Sequence, residues 1–564
     1  MLDSLRRDVL GEGACIRTPF GVRRVTYADH VASGRALRSV ETALRDAVLP
    51  LYANTHTEDS ATGAHTTRVM HDAAEYVKRC LGAGPEHKIV FPGTGATGAV
   101  KRLQEILGVA VPADQRSRLL GVLPILERLV VFVGPYEHHS NEVSWRESLA
   151  EVVTVPLDEH GLLDLAALDR ALVDPRFEGR PKLGSFSAAS NVTGLLSDVR
   201  AIARTLHRHG AWAAFDYAAS APYVKIDVAP SEPGGDDGID AVMLSPHKFL
   251  GGPGAAGVLL FHRSLYRLAA PTTAGGGTVT YVSPTTHRFL LDIELREDAG
   301  TPGILQKMRV AMAFRVKERV GAGRIEEIER DYATRAMQRL RATPGVEILG
   351  NVDAPRLPVV SFLIGNGERY LHPRFVVRLL SDLFGIQGRA GCSCAGPYGH
   401  ALLHIDAATS EAYLHAIEAG YEGVRPGWSR VNFHWLIDED EFSFLLDAIA
   451  FVAQHGAALV PLYRFDWRTG AWRHESEATD AADHGPAGDA PTGSAQRPEA
   501  TFDFERWSTV EHDNEPRATA FRRYLDEARA LAREREAVGT PAASGDRADD
   551  VPAAVDARLV FFAR

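Results

Sequence analysis

The chain has 564 residues, 45% of them hydrophobic and 24% charged, with a formal net charge of -11. That length exceeds what one hydrophobic core fills, so two or more domains are expected. An acidic balance without a basic stripe excludes the usual electrostatic footprint of a nucleic-acid binder, and four scattered cysteines, Cys15, Cys80, Cys392 and Cys394, exclude a disulfide framework. The amino-terminal "MLDSLRRDVLGEGACIRTPFG" lacks the apolar core of a secretory signal, and no stretch approaches 18 uninterrupted apolar residues. The expectation is a cytoplasmic protein with no membrane partner.

From about residue 85 to 265, apolar runs alternate with helical patterns: "HKIVF", "RLVVFVG", "GSFSAAS", "AWAAFD" and "DAVMLS" read as strands, with "VRAIARTLHRHG" a helix between two of them. Such alternation predicts an α/β fold, with a mostly parallel central sheet in a large domain and ligands bound at the strand ends. After about 304 the texture changes to a long helical stretch followed by "PRLPVVSFLIG" and "RFVVRLLSDLFGI", which predicts a smaller α+β domain. The expected division is 1–30, an amino-terminal segment packing with the small domain; 31–303, the large domain; 304–465, the small domain; 466–505, a linker of disordered composition; and 506–564, a partly helical extension.

Several strand ends carry residues suited to chemistry. "KIVFPGTGATGAVKRLQEILG" reads as strand, turn and helix, so backbone N–H groups of Gly95, Ala96 and Thr97 and the Thr97 hydroxyl would form an anion site at the helix start. Its spacing does not match the P-loop pattern. In "PYEHHSNEVSW", an imidazole at His138 or His139 could stack on a flat ring and move protons, or the pair could be a metal site or plain polar surface. Asn191 in "SAASNVTG" could bond a phenolic oxygen or only make a turn. Asp216, after the apolar strand "AWAAFD", could pair with a protonated pyridine nitrogen, or be an ordinary strand-end aspartate. About thirty residues later comes "SPHKFLGGPGAAG", whose Lys248 would form a Schiff base with an aldehyde if part of it is neutral; otherwise it is a lysine ahead of a glycine-rich turn.

In this order the pieces resemble the class V aminotransferase fold of pyridoxal phosphate (PLP) enzymes, most closely the cysteine desulfurases, from "VTYADHVASG" near 25 to "RVNFHW" near 430. The resemblance implies PLP fold type I, with Lys248 binding the cofactor aldehyde, Gly95, Ala96 and Thr97 in the phosphate turn, His138 stacked on the ring, Asn191 near the cofactor oxygen and Asp216 on the pyridine nitrogen. Ser245 and His247 of "SPHK" match phosphate ligands. "AGGGTVTY" and "AGTPG" resemble segments that reach a partner subunit's cofactor, which implicates Thr278 and a homodimer. "GRAGCSCAGPYGH" is similar to the family's nucleophile loop, placing the thiol on Cys394 with Arg389 nearby. "GWSRVNFHWLIDEDE" is similar to the segment whose arginine, here Arg430, binds the substrate carboxylate.

The implied activity is release of alanine from an amino acid, L-cysteine above all, with Cys394 left as a persulfide and a sulfur-acceptor protein downstream. An aminotransferase, epimerase or carbon–sulfur lyase on the same fold, and a sulfur-relay scaffold with a vestigial site, are the alternatives. Two departures stand out: "DYAAS" puts Ala219 where the family has a glutamine, and "CSC" adds Cys392 beside the nucleophile. A metal reading of Cys392, Cys394, His400 and His404 lacks the usual zinc spacing, so no metal is expected.

Overall fold

The structure, a computed structural model, describes residues 1–478, 510–537 and 551–563. The large domain is built on β1 (His87–Val90), β2 (Val130–Val133), β3 (Glu151–Thr154), β4 (Lys182–Ser187), β5 (Trp212–Asp216), β6 (Ala241–Leu244) and β7 (Val258–His262). These form one seven-stranded sheet in the order β1-β7-β6-β5-β4-β2-β3. Neighbours are parallel except β7, which runs antiparallel to both β1 and β6. Strands such as "VVFV" are buried on both faces, which is why they read as continuous apolar runs rather than alternating ones. On one face of the sheet, helix α1 (Ala61–Cys80) contributes Val77 to a core with Phe132, Phe186 and Phe215. On the other, α2 (Gly95–Ile106) buries Ala99, Val100 and Leu103.

The expected boundary at 304 needs correction. Helix α3 (Ile304–Val320) packs along α1, and its Val310, Ala313 and Phe314 complete the large-domain core. Gly321, at φ +90°, then ends it, and α4 (Ala322–Arg341) sends Tyr332, Ala336 and Leu340 into the other core. What reads as one long helix is two, because a left-handed residue cannot sit inside a right-handed helix. The domains therefore part at about 321.

In the small domain, β8 (Val346–Ile348) pairs with β9 (Val359–Asn366), which lies in a sheet with β10 (Arg369–Leu371), β11 (Arg389–Gly391), β12 (Trp428–Asn432) and β13 (Phe562–Ala563). The order is β11-β12-β9-β10-β13; the pairings are antiparallel except β10 with β13. Helices α5 (Pro373–Phe384) and α6 (Glu439–Leu459) fill its core with Phe375, Leu379, Leu445 and Ile449. Among the described residues, Glu439–Leu462 is the one helix long and apolar enough to cross a membrane. Here it packs in that core.

Residues at both chain ends join this domain. Thr26–Tyr27 pairs with Ile386–Gln387, and Arg23 bonds Glu527 at 2.8 Å. The segment after 465 is not linker at its start: Tyr463–Phe465 and Trp472–His474 form a hairpin, and buried Trp472 lies 4.7 Å from the Phe375 ring. Residues 479–505 of the expected linker and 506–509, 538–550 and 564 of the expected extension lie outside the described residues. Helix α7 (Arg517–Ala537) buries Ala520, Phe521 and Tyr524, with Phe521 stacked on Phe444 at 3.8 Å. The described parts of the extension, 510–537 and 551–563, thus belong to the small domain, with α7 in its core and β13 on its sheet edge.

Candidate active site

The ends of β4, β5 and β6 meet Val31 and Ala32 and, from the small domain, Arg389, Ser393, Cys394 and Arg430 around a cavity of about 250 Å³. It is lined by Ala96, Thr97, His138, Asn191, Asp216, Ser245, His247, Lys248, Arg389, Cys394 and Arg430, so all but two of the predicted site residues converge here.

Lys248 ends a short turn, Pro246–Lys248, directly after β6. The backbone of Gly34 crosses this turn so closely that a Cβ there would lie 2.0 Å from the Phe249 carbonyl oxygen, and its N–H donates to the His247 carbonyl at 3.0 Å. The residue is half-buried overall, but desolvation brings the amine down to about 8, against the opposing pull of Asp216. Asp216 is buried at the end of β5, and burial raises its carboxyl, although the Ala218 N–H donated to Oδ1 (2.8 Å) and the Lys248 charge oppose the rise.

At the start of α2, the Ala96 N–H is not free: it donates to Ser245 Oγ at 2.9 Å. The Thr97 hydroxyl meets that of Ser140 at 2.7 Å. Gly95 sits at φ +58°, and a Cβ on it would come within 2.9 Å of both His247 and Ser245. Across the cavity, His138 Nδ1 accepts from the Ser140 N–H (3.1 Å), which leaves the proton of the neutral ring on Nε2. Burial first, then the charges of Lys248, His139 and Arg430, push this imidazole down to about 4, so it stays uncharged at neutral pH.

Arg430 is buried. Its Nη1 donates to the Asn191 carbonyl and its Nη2 to Asp29 Oδ1, both at 2.8 Å, while Nε has no partner among the described residues. Asp29 Oδ2 accepts from Arg389 Nε at 2.9 Å, so one carboxylate holds both arginines. The Asn191 side chain does not point to a free donor role: Nδ2 donates to the Ser393 carbonyl at 2.8 Å.

The cysteine loop is tied down by backbone groups. The His139 N–H donates to the Cys394 carbonyl (2.8 Å), and the Gly396 N–H donates to His139 Nε2 (2.9 Å). Ser393 and Cys394 both have positive φ, 51° and 57°, a strained pair for residues with a Cβ. Cys394 is exposed and Cys392 half-buried, and both are free thiols. His400 bonds the Gly396 carbonyl and Ser410, each at 2.8 Å.

Thr278 is not brought to this cavity. Its hydroxyl donates to the Gly275 carbonyl (2.7 Å), at the base of a hairpin, Val279–Val282 with His287–Phe289, whose Tyr281 and Val282 are exposed. Asp29, His139, Ser140 and Glu137 were not singled out for these roles. Buried Glu137 accepts from Gly134 N–H, Ser187 N–H, Ser187 Oγ and Asn141 Nδ2, tying the His138 loop to the end of β4; burial raises it to about 7. The available signal was the polar run "EHHSN" and the lone acid in "YADH", whose partners lie some 360 to 400 residues away.

The donor set fits PLP. A desolvated amine suits an aldehyde, a buried carboxylate at a strand end suits a pyridine nitrogen, a neutral imidazole suits a ring face, and the Ser245, Thr97 and Ser140 hydroxyls at a helix start suit a phosphate. Ala219 offers only a methyl group to the cavity. Fold and site together define a PLP-dependent enzyme of fold type I.

The family model for class-V aminotransferases matches residues 26–409, and the chain belongs to that family. A probable cysteine desulfurase of Halalkalibacterium halodurans is 27% identical over 412 residues, covering 72% of this chain and 93% of that one. One from Staphylococcus aureus is 28% identical over 379 residues, covering 66% and 84%. The apo cysteine desulfurase of Thermococcus onnurineus matches with TM-score 0.63 at 23% identity, covering 80% of this chain and 98% of that one. The Escherichia coli cysteine desulfurase CsdA matches with TM-score 0.58 at 23% identity, covering 80% and 97%.

Proposed function

We propose that this enzyme is a cysteine desulfurase, converting L-cysteine to alanine and leaving the sulfur on Cys394. The observation that carries the reading is the placement of Cys394, on a loop of the small domain, in the same cavity as Lys248 and Asp216 of the large domain. The desulfurase names of the relatives support it.

When bound, PLP supplies an electron sink for negative charge developing next to the substrate amino group. Gly95, Thr97, Ser245 and His247 would hold its phosphate, Asp216 its ring nitrogen, His138 its face and Lys248 its aldehyde. The chain's own residues then divide the remaining work. Arg430 and Arg389, which line the cavity together, offer the substrate carboxylate planar donors. Lys248, with a pKa of about 8, can take and return a proton near neutral pH. Neutral His138, with a proton on Nε2, can donate one to the departing side. The Cys394 thiol attacks the substrate sulfur: the carbon–sulfur bond breaks, a sulfur–sulfur bond forms, and the thiol proton is passed on, so cysteine and thiol become alanine and persulfide without an outside oxidant.

The reading extends to a homodimer, in which the exposed hairpin carrying Thr278 would reach the partner's site, to a cytoplasmic location, and to a protein that accepts the sulfur. The test is PLP-loaded enzyme given L-cysteine and a thiol reductant, with alanine and sulfide measured together. Equal amounts, lost in Cys394→Ser while the cofactor spectrum is kept, are expected. Sulfide with pyruvate would mean a lyase, and a fully active Cys394→Ser would remove the thiol from the mechanism.

A further inference from the structure

The segment after β2, residues 134–141, is fixed to the sheet by Glu137, whose carboxylate accepts from the Gly134 and Ser187 N–H groups, Ser187 Oγ and Asn141 Nδ2. From this anchored segment His138 and Ser140 line the active cavity, and His139 between them meets the cysteine loop.

His139 grips that loop twice. Its N–H donates to the Cys394 carbonyl (2.8 Å), and its Nε2 accepts from the Gly396 N–H (2.9 Å). The two bonds bracket Ala395, which is buried. A ring that accepts through Nε2 carries its proton on Nδ1 when neutral, the opposite tautomer to His138. Gly396 opens the helix Gly396–Leu402, so its N–H lies in the first turn and has no acceptor within the helix, and Ala395 before it has no side-chain oxygen to cap it. The imidazole supplies that acceptor. The fit is close, since a Cβ on Gly396 would lie 3.2 Å from Nε2.

The loop needs such a hold. Ser393 and Cys394 sit at φ 51° and 57°, a conformation that costs energy in residues with a Cβ and persists only where the surroundings impose it. Cys394 is exposed, so its thiol is placed by the loop backbone rather than by packing. The other large-domain contact, from Asn191 Nδ2 to the Ser393 carbonyl, comes from a residue whose own carbonyl also receives Arg430. Among the described residues, the His139 ring bonds the loop alone.

We propose that His139 is a positioning residue for the sulfur-transfer step. By capping the helix after Cys394 and holding the Cys394 carbonyl, it fixes the thiol relative to His138, one residue away in the chain. The inference rests on the desulfurase reading, in which the Cys394 thiol attacks the substrate sulfur. Cofactor and substrate carboxylate are held by other groups, so loss of the His139 ring slows transfer and leaves L-cysteine binding as it is.

The test compares the full-length, PLP-loaded wild type with His139→Leu, His139→Asn and His139→Gln, and with Cys394→Ser alongside. A glutamine amide oxygen reaches about as far as Nε2 and keeps the acceptor, an asparagine reaches only as far as Nδ1, and leucine has none. With Leu or Asn, kcat for alanine release should fall at least about tenfold, the scale of one donor left without its bond. KM for L-cysteine, the cofactor absorbance and its response to added L-cysteine should stay as in the wild type. His139→Gln should restore the rate to within about threefold of the wild type. If His139→Leu does not fold, the Asn and Gln pair decides. The proposal is overturned by a wild-type kcat in His139→Asn, or by a loss in His139→Gln as large as in His139→Asn. A changed cofactor spectrum or a raised KM accompanying the loss would also overturn it, by marking a general structural role. A fully active Cys394→Ser would overturn the desulfurase reading and this inference with it; an inactive Cys394→Ser beside an unimpaired His139→Asn would overturn the positioning role alone.

Discussion

The two halves of the active site are built differently. The lysine side consists of strand ends and a helix start in the large domain, where Asp216 and Ser245 are buried and backbone crossings as close as Gly34 over Phe249 leave no room for movement. The cysteine side is an exposed loop with two successive left-handed residues, held by three hydrogen bonds to His139 and Asn191 and by the Asp29 carboxylate behind its arginines. The difference teaches what each side is for. A cofactor must be held in one position, so its groups sit in a desolvated frame that shifts their pKa values; in the proposed reaction the Cys394 thiol must reach a substrate sulfur, and it stays exposed.

The lysine side should show the largest single effect. Lys248→Ala is expected to reduce alanine formation by at least about 10³-fold, measured as initial rate with excess PLP, and to leave the cofactor dialysable. Retained activity would break the division between the two halves. Next comes the joint between them. Asp29→Ala leaves buried Arg430 without its acid and should cost about 3 kcal/mol, read from urea unfolding, together with a raised KM for cysteine from the misplaced arginines. An unchanged midpoint would mean that Asp29 does not couple the domains.

A third expectation concerns pH. Only the neutral lysine amine attacks an aldehyde, and since Lys248 is lowered to about 8, uptake of PLP by the apo-protein should rise with pH and reach its midpoint near 8 rather than near the ordinary lysine value. Asp216 holds that pKa up, so Asp216→Asn should move the midpoint lower still. Stopped-flow absorbance checks both. The smallest effect belongs to the cysteine loop: Ser393→Gly relieves a residue at φ 51° and should stabilise the protein by up to about 1 kcal/mol, seen as a higher thermal midpoint with cofactor uptake unaltered. A loss of stability would show that the left-handed pair is not strained in place.

Much of this arrangement was legible in the sequence where the signal is local. The apolar runs ending in Asp216 and Ser245, the "GTGAT" turn and the "SPHK" lysine each report a strand followed by its own chemistry, because side chains one or two residues beyond a buried strand must emerge at the sheet's edge. The failures have a common cause as well. Helix α3 looks like the start of the small domain because its helical pattern continues past Gly321, and its assignment depends on which core receives Val310 and Phe314. The second strand of the hairpin, Trp472–His474, falls in the expected linker because nothing nearby reveals that Trp472 packs on Phe375.

The amino-acid sequence by itself determined the alternation of strands and helices, the residues at the strand ends and hence the family, since these rest on periodicity and on short spacings that survive without a partner. Only the tertiary structure decided that Asp29 binds two arginines contributed by distant strands, that Asn191 and His139 serve the cysteine loop, and that helix α7 belongs to the small-domain core. Those are meetings of groups hundreds of residues apart, and only the packed chain shows which of the available partners each buried charge and each apolar face has found.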